Sequence, residues 1–154
     1  MRPRVLKVDV AGQGEPVVLV PGGLTGWISW MPHQGRLAGR YQAIRVQPIH
    51  NEMGSAGIPG DPTYTRDVER ECMRLTIEQM EIESLHLVGW SAGGKTALDF
   101  ALSAPEIITS LTLVEPAAYW VLDEVDAELQ QFIQHLHSLA GKTITEDDLA
   151  TFLA

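Results

Sequence analysis

Short apolar runs alternate with amphipathic stretches along most of the chain, and this alternation is the first guide to its fold. Val5 to Val10 switches between apolar and polar residues, which predicts a strand at the edge of a sheet. Val17-Val18-Leu19-Val20 is continuously apolar and rich in β-branched residues, the pattern of a central strand covered on both faces. Tyr41 to Val46, Leu85 to Val88 and Ser110 to Val114 predict three more strands. Between them lie helical patterns. Met31 to Gly39 fits a short helix. In Thr65 to Ile82, Val68, Cys72 and Leu75 form one stripe and Met73, Ile77 and Met80 an adjoining one, a width that suits packing on a sheet. Ala92 to Ala104 is a further helix, closed by Pro105. Pro48 to Pro62 is rich in Gly, Pro, Asn and Ser and predicts a long loop, of a length more often functional than merely connecting. Beyond Glu115-Pro116, an acidic amphipathic helix is expected from Asp123 to Leu139, followed by a helix start with Thr145 as its N-cap. Strand and helix in alternation predict βαβ units and a mainly parallel sheet.

Composition narrows the classes of partner. The chain has 154 residues, 45% of them hydrophobic, enough for one domain with a sizeable core. Twenty acidic against eleven basic side chains give a net charge of -9, which repels phosphate backbones and anionic lipid surfaces, so neither nucleic acid nor membrane is an expected partner. The single Cys72 has no internal disulfide partner, and Met1 to Val10 has no apolar core of the secretory kind; a reduced, cytoplasmic setting is expected. No apolar run approaches the roughly 20 residues that span a bilayer. No cofactor or metal is called for by any residue cluster.

The chemistry concentrates in Leu87-Val88-Gly89-Trp90-Ser91-Ala92-Gly93-Gly94-Lys95-Thr96. Gly89, Ser91 and Gly93 satisfy G-x-S-x-G, a sharp strand-to-helix turn that pushes a serine hydroxyl into the open. Gly89, Gly94, Lys95 and Thr96 equally satisfy G-x-x-x-x-G-K-[ST], a loop whose amides cradle phosphates. One segment cannot serve both. The apolar strand before the motif and the helix after it suit the first, since a strained serine backbone needs small neighbours two residues either side. About 70 residues upstream another apolar strand ends in Pro21-Gly22-Gly23, where backbone N–H groups could face a developing oxyanion. For a phosphate loop, Glu115 follows Lys95 too closely to sit on the expected partner strand. Bulky Trp90 also occupies a position where amides must wrap phosphate. Lys95 is then expected at the surface of the helix.

On these residues the chain resembles the α/β-hydrolase fold superfamily. Val17 to Gly23 matches the strand and oxyanion loop, Trp27 to Tyr41 the helix leading to the next strand, Leu87 to Gly94 the nucleophile turn and Ser110 to Pro116 the strand after it. The resemblance implies a three-layer α/β-hydrolase core over residues 1-122, lacking its C-terminal strands, with the start of a helical cap over 123-154. It also implies Ser91 as nucleophile and the backbone amides of Ala92 and Gly23 as oxyanion hole. Relatives often carry His before the oxyanion glycine; Pro21 stands there in this chain. Leu24, Trp27, Trp90 and Trp120 would line an apolar pocket for a small acyl substrate such as an ester or lactone. The simple covering of the sheet's rim is the other role open to the tryptophans.

A hydrolase of this kind needs a carboxylate and then a histidine after the serine. His135 and His137 are the histidines that follow Ser91, both on the acidic helix and expected on its solvated face. His33, His50 and His86 precede it; His50 could line the pocket, and His86 fits a packed or edge strand position. Glu115 is the internal candidate for the acid, although a residue before Pro116 also suits a pocket edge. The expectation is an N-terminal portion of a serine hydrolase, without an identifiable base and with an unpaired sheet edge that favours self-association. A ligand-binding protein that keeps the pocket but not turnover, and a nucleotide-binding protein, are the alternatives.

Overall fold

The computed structural model describes residues 1–118, 126–139, 145 and 147. It divides into two compact units, Met1–Ala118 and Tyr119–Ala154. In the first, strands β1 (Lys7–Ala11), β2 (Pro16–Val20), β3 (Gln42–Gln47), β4 (Leu85–Trp90) and β5 (Ile108–Val114) form one sheet in the order β1-β3-β2-β4-β5. The run Val17 to Val20 occupies the centre, paired in parallel with β3 on one side and β4 on the other. Only β1 runs antiparallel, at the edge beside β3. The expected edge and central strands therefore fall where the hydrophobic pattern placed them.

Helices cover the two faces unequally. A short 3-10 turn (Gly26–Trp30) leads into α1 (Met31–Leu37), and Trp30 and Leu37 pack with Val17, Leu19, Val88 and Trp90 on one face. On the other face, Cys72, Met73 and Ile77 of α3 (Arg66–Gln79) and Ala97 and Phe100 of α4 (Ala92–Ser103) pack with Val18, Val20, Ile44, Val46, Leu85 and Leu87. Each Val, Leu, Ile, Met or Phe side chain among these, removed from water, contributes about 1.5–3 kcal/mol before chain entropy is counted. The two predicted stripes of α3 converge on its buried residues, Cys72, Met73, Thr76 and Ile77, and Thr65 caps the helix by accepting the Val68 N–H. Thr76 is buried without cost because its hydroxyl accepts the Leu6 N–H and donates to the Cys72 carbonyl.

One expectation is corrected. Within the stretch read as a loop, Ile49–Ser55 is helical (α2). Pro48 sits outside the first turn in extended backbone, while Ile49, 1% exposed, and Asn51, 6% exposed, anchor the helix to the core. Tertiary burial thus overrides the poor helix propensity of Asn51 and Gly54.

In the second unit, α5 (Ala127–Leu139) is described by itself, with Asp126 accepting the Leu129 N–H at its start. Trp120 and most of the segment around Thr145 lie outside the described residues. No described helix is long and apolar enough to cross a membrane.

Candidate active site

β2 and β4 are neighbours whose following helices lie on opposite faces of the sheet, so their C-terminal ends open a crevice, the place where open α/β sheets hold ligands. Pro21-Gly22-Gly23 leaves β2 there, and Ser91 leaves β4.

Ser91 has φ 52° and ψ -121°, a conformation natural to glycine and costly for serine. Three backbone bonds hold it: its N–H donates to the Val114 carbonyl (3.0 Å), and its carbonyl accepts from Ala117 (3.0 Å) and Lys95 (3.2 Å). The strand therefore turns into α4 within one residue. Glycines on either side make this feasible. A Cβ on Gly89 would lie 2.5 Å from the Gly93 carbonyl oxygen and 2.7 Å from the Ala97 Cβ, and one on Gly93 would lie 2.3 Å from the Pro21 carbonyl oxygen. The expectation that small residues are needed two positions either side of Ser91 thus has a steric cause, the seating of α4 on β2 and β4. Among the described residues the Ser91 hydroxyl makes no hydrogen bond.

Gly23 meets the other half of the turn. A Cβ on it would lie 3.6 Å from the Ala92 Cβ, so the two residues named for the oxyanion hole are neighbours. The Trp90 ring packs on Gly22, 3.1 Å from where a Cβ would project. Trp90 also lines a cleft of about 410 Å³ with Ser29, Trp30, His33, Val88 and Val114. Trp27 lies elsewhere, its ring 5.9 Å from the Arg45 guanidinium, and Leu24 is exposed. Glu115 follows β5 with φ 43°, one residue after the carbonyl that holds Ser91.

No phosphate loop forms. Gly89 is still within β4, the helix begins at Ala92, and Gly94 is spent on packing, since its Cβ would lie 2.9 Å from Pro116. Lys95 is half-buried rather than on the surface, and Thr96 is buried with its hydroxyl donating to Ala92. Both residues meet Glu69 of α3. Burial pushes the Glu69 carboxyl above the usual carboxylate range, opposed by the Thr96 hydroxyl and the Lys95 charge.

The histidines divide by position. His50 is on α2, its Nδ1 3.7 Å from Glu69 and its ring 5.9 Å from Tyr64, beside a small cleft of about 170 Å³. Burial, and then the nearby Lys95, hold its imidazole below the ordinary histidine range. His86 Nδ1 is 2.8 Å from the Ser110 hydroxyl and its Nε2 is 3.3 Å from Glu15. That Ser–His–Glu array sits at the opposite end of β4, five residues or about 16 Å from Ser91. Ser110 lies within the β4–β5 ladder and not at a strand-to-helix turn. On α5, His137 is exposed as expected, whereas His135 is half-buried.

Two residues that the sequence did not single out hold the loop after β2. Gln47 accepts the Trp27 N–H at 2.8 Å, and Asn51 donates to the Gly23 carbonyl at 2.6 Å. Their partners lie 20 and 28 residues away, beyond any local pattern.

The model of a family described as "alpha/beta hydrolase fold" matches residues 15–143. A 2-hydroxymuconate semialdehyde hydrolase from a Pseudomonas species is 33% identical over 110 residues, covering 70% of this chain and 38% of that protein. The carboxylesterase YbfK of Bacillus subtilis is 28% identical over 105 residues, covering 68% of this chain and 35% of the relative. Among solved structures, a meta-cleavage product hydrolase from Pseudomonas fluorescens superposes with a TM-score of 0.69 at 22% identity, over 96% of this chain and 51% of its own. The chain thus spans about two fifths of the length of these relatives and half of that structure.

Proposed function

Because the chain belongs to the α/β-hydrolase fold family, we propose that it forms the nucleophile-bearing part of a cofactor-free serine hydrolase acting on a small apolar ester, lactone or similar acyl substrate. The observation that carries this is the backbone of Ser91, held at positive φ by three hydrogen bonds with Gly23 and Ala92 adjacent. Ser91 Oγ attacks the acyl carbon, and the amides of Ala92 and Gly23 stabilise the oxyanion of the tetrahedral intermediate. The apolar cleft beside Trp90 and Trp30 is lined by Ser29, His33, Val88 and Val114 and not by Ser91, Ala92 or Gly23, so the acyl group is not assigned to it. Glu115, next to the strand end that anchors Ser91, is the candidate for the acid. Among the described residues of the first unit no histidine is hydrogen-bonded to Ser91, and no base is assigned. A hydrolase acting in a reduced cytoplasmic setting fits Cys72, which is buried and free.

A fluorophosphonate probe followed by peptide mass spectrometry tests the assignment. The expected adduct is on Ser91, slow to form and absent in Ser91→Ala, with ester turnover by this chain at background. Saturable ATP binding lost in Lys95→Ala, or an adduct on Ser110 instead, would overturn it. Absence of any adduct while an apolar ligand still binds would favour a pseudoenzyme.

The edge of the sheet suggests how the chain behaves alone. β5 has one ladder neighbour among the described residues, leaving its other side open to a second strand. The chain is expected to self-associate with concentration in sedimentation equilibrium, and Thr112→Lys, on the exposed part of β5, to shift it toward monomer. A monomer at all concentrations would show that β5 is not the pairing surface.

A further inference from the structure

The loop after β2 is held by two carboxamides that the proposed chemistry does not itself use. Both come from the end of β3 and the helix that follows, and both are among the few buried polar residues: Gln47 is 7% exposed and Asn51 is 6%. A buried carboxamide needs partners, and these two find theirs on opposite ends of one short segment. Gln47 Oε1 accepts the Trp27 N–H, and it presses so closely on Gly26 that a Cβ there would lie 2.7 Å from it; Gly26 has φ 58°. Asn51 Nδ2 donates to the carbonyl of Gly23 at 2.6 Å and lies 3.4 Å from that of Gly22. Since carbonyls only accept, facing two of them fixes which end of the Asn51 side chain is the amide.

We propose that Asn51, with Gln47 as its counterpart, is a positioning residue that sets the oxyanion loop. Peptide planarity supplies the lever. The described chain has no cis peptide, so the Gly22 carbonyl and the Gly23 N–H point in opposite directions, as do the Gly23 carbonyl and the Leu24 N–H. Drawing both carbonyls inward to Asn51 turns those N–H groups outward, on the side where Gly23 is half-exposed and Leu24 exposed. Gln47 prevents the far end of the loop from following. Asn51 Oδ1 is buried and has no hydrogen-bond partner among the described residues. The side chain is held at this place through its donor, which an apolar residue of the same size would not supply.

The inference rests on the serine-hydrolase assignment, and two readouts keep the failure of one apart from the failure of the other. Asn51→Leu removes the donor, and Asn51→Asp keeps the size while presenting an acceptor to two carbonyls. Amide hydrogen exchange, followed by NMR at equal distance below each melting temperature, reads the loop. Phosphonylation of Ser91 reads the oxyanion hole. Exchange at Gly23 to Thr25 should rise about tenfold or more in both variants with little change in β2 and β4. Phosphonylation should slow by about 100-fold, the effect of losing one oxyanion donor. Gln47→Leu should loosen Gly26 and Trp27 instead. Loop exchange within threefold of the parent chain, or loosening spread evenly over the sheet, would overturn the proposal. If the parent chain is not phosphonylated, the serine assignment falls, and the exchange measurement still decides whether Asn51 sets the loop. Should one Asn51 variant fail to fold, the other carries both measurements.

Discussion

Replacing Gly93 by alanine is expected to lower the melting temperature by about 10 °C or to prevent folding, although the change adds one methyl group. The added carbon would lie 2.3 Å from the Pro21 carbonyl oxygen, 2.5 Å from that of Val20 and 2.7 Å from the Val20 carbonyl carbon. All three are backbone atoms at the end of the central strand, so no side-chain rotation relieves the overlap. Relief requires α4 to lift from β2, which pulls Ala97 and Phe100, 0% and 1% exposed, out of the core they share with Val18 and Val20. Overpacking of this kind, with the packing lost around it, costs about 3 kcal/mol or more. For a chain this size that corresponds to about 6–12 °C. Gly35→Ala is the control: on exposed α1 the same carbon meets nothing within 4 Å. Alanine there should stabilise by about 0.5–1 kcal/mol through its helix propensity and smaller unfolded-chain entropy. Thermal melts followed by circular dichroism compare the two. Equal melting of Gly93→Ala and the parent chain would mean that α4 does not seat as closely on β2 as its backbone indicates.

The same contrast explains how much could be seen in the sequence. Gly89 and Gly93 were legible because their constraint is local and steric, a turn with no room for side chains beside Ser91. Val17 to Val20 was legible because a strand buried on both faces has no polar alternation. Ile49–Ser55 was not, because its helix is fixed by where Ile49 and Asn51 pack, and the local composition favours a loop. Lys95 was misplaced for a related reason: helix position alone does not disclose Glu69 on the facing α3. Asn51 and Gln47 act through hydrogen bonds to a loop more than 19 residues upstream, and no spacing rule reaches that far. The hydrogen-bonded His86 and Ser110 make the converse point, for they reproduce part of a catalytic pattern at the end of β4 remote from Ser91.

Ser91→Gly is expected to abolish phosphonylation and, unlike other replacements of the nucleophile, to raise stability. At φ 52° and ψ -121° the Cβ of Ser91 is held in a region that only glycine occupies freely, at a cost of about 1–3 kcal/mol. The conformation persists because neighbours over-determine it. Val114 accepts the Ser91 N–H, Ala117 and Lys95 donate to its carbonyl, and α4 cannot start elsewhere while Gly93 is wedged against Val20 and Pro21. Glycine relieves the strain but gives up about 0.5–1 kcal/mol to the larger entropy of the unfolded chain. A net gain of about 1 kcal/mol remains, or about 2–4 °C in melting temperature. Ser91→Ala keeps the Cβ and hence the strain, so it should lose the adduct while melting within about 1 °C of the parent chain. The two variants thereby separate the hydroxyl from the backbone that presents it. A rise for glycine alone identifies Ser91 as a residue whose exposed geometry is maintained against its own preference, as a nucleophile that must stand clear of the ladder requires. Equal melting of both variants would mean that the turn relaxes in solution, and the geometric case for Ser91 as the attacking group would fall with it.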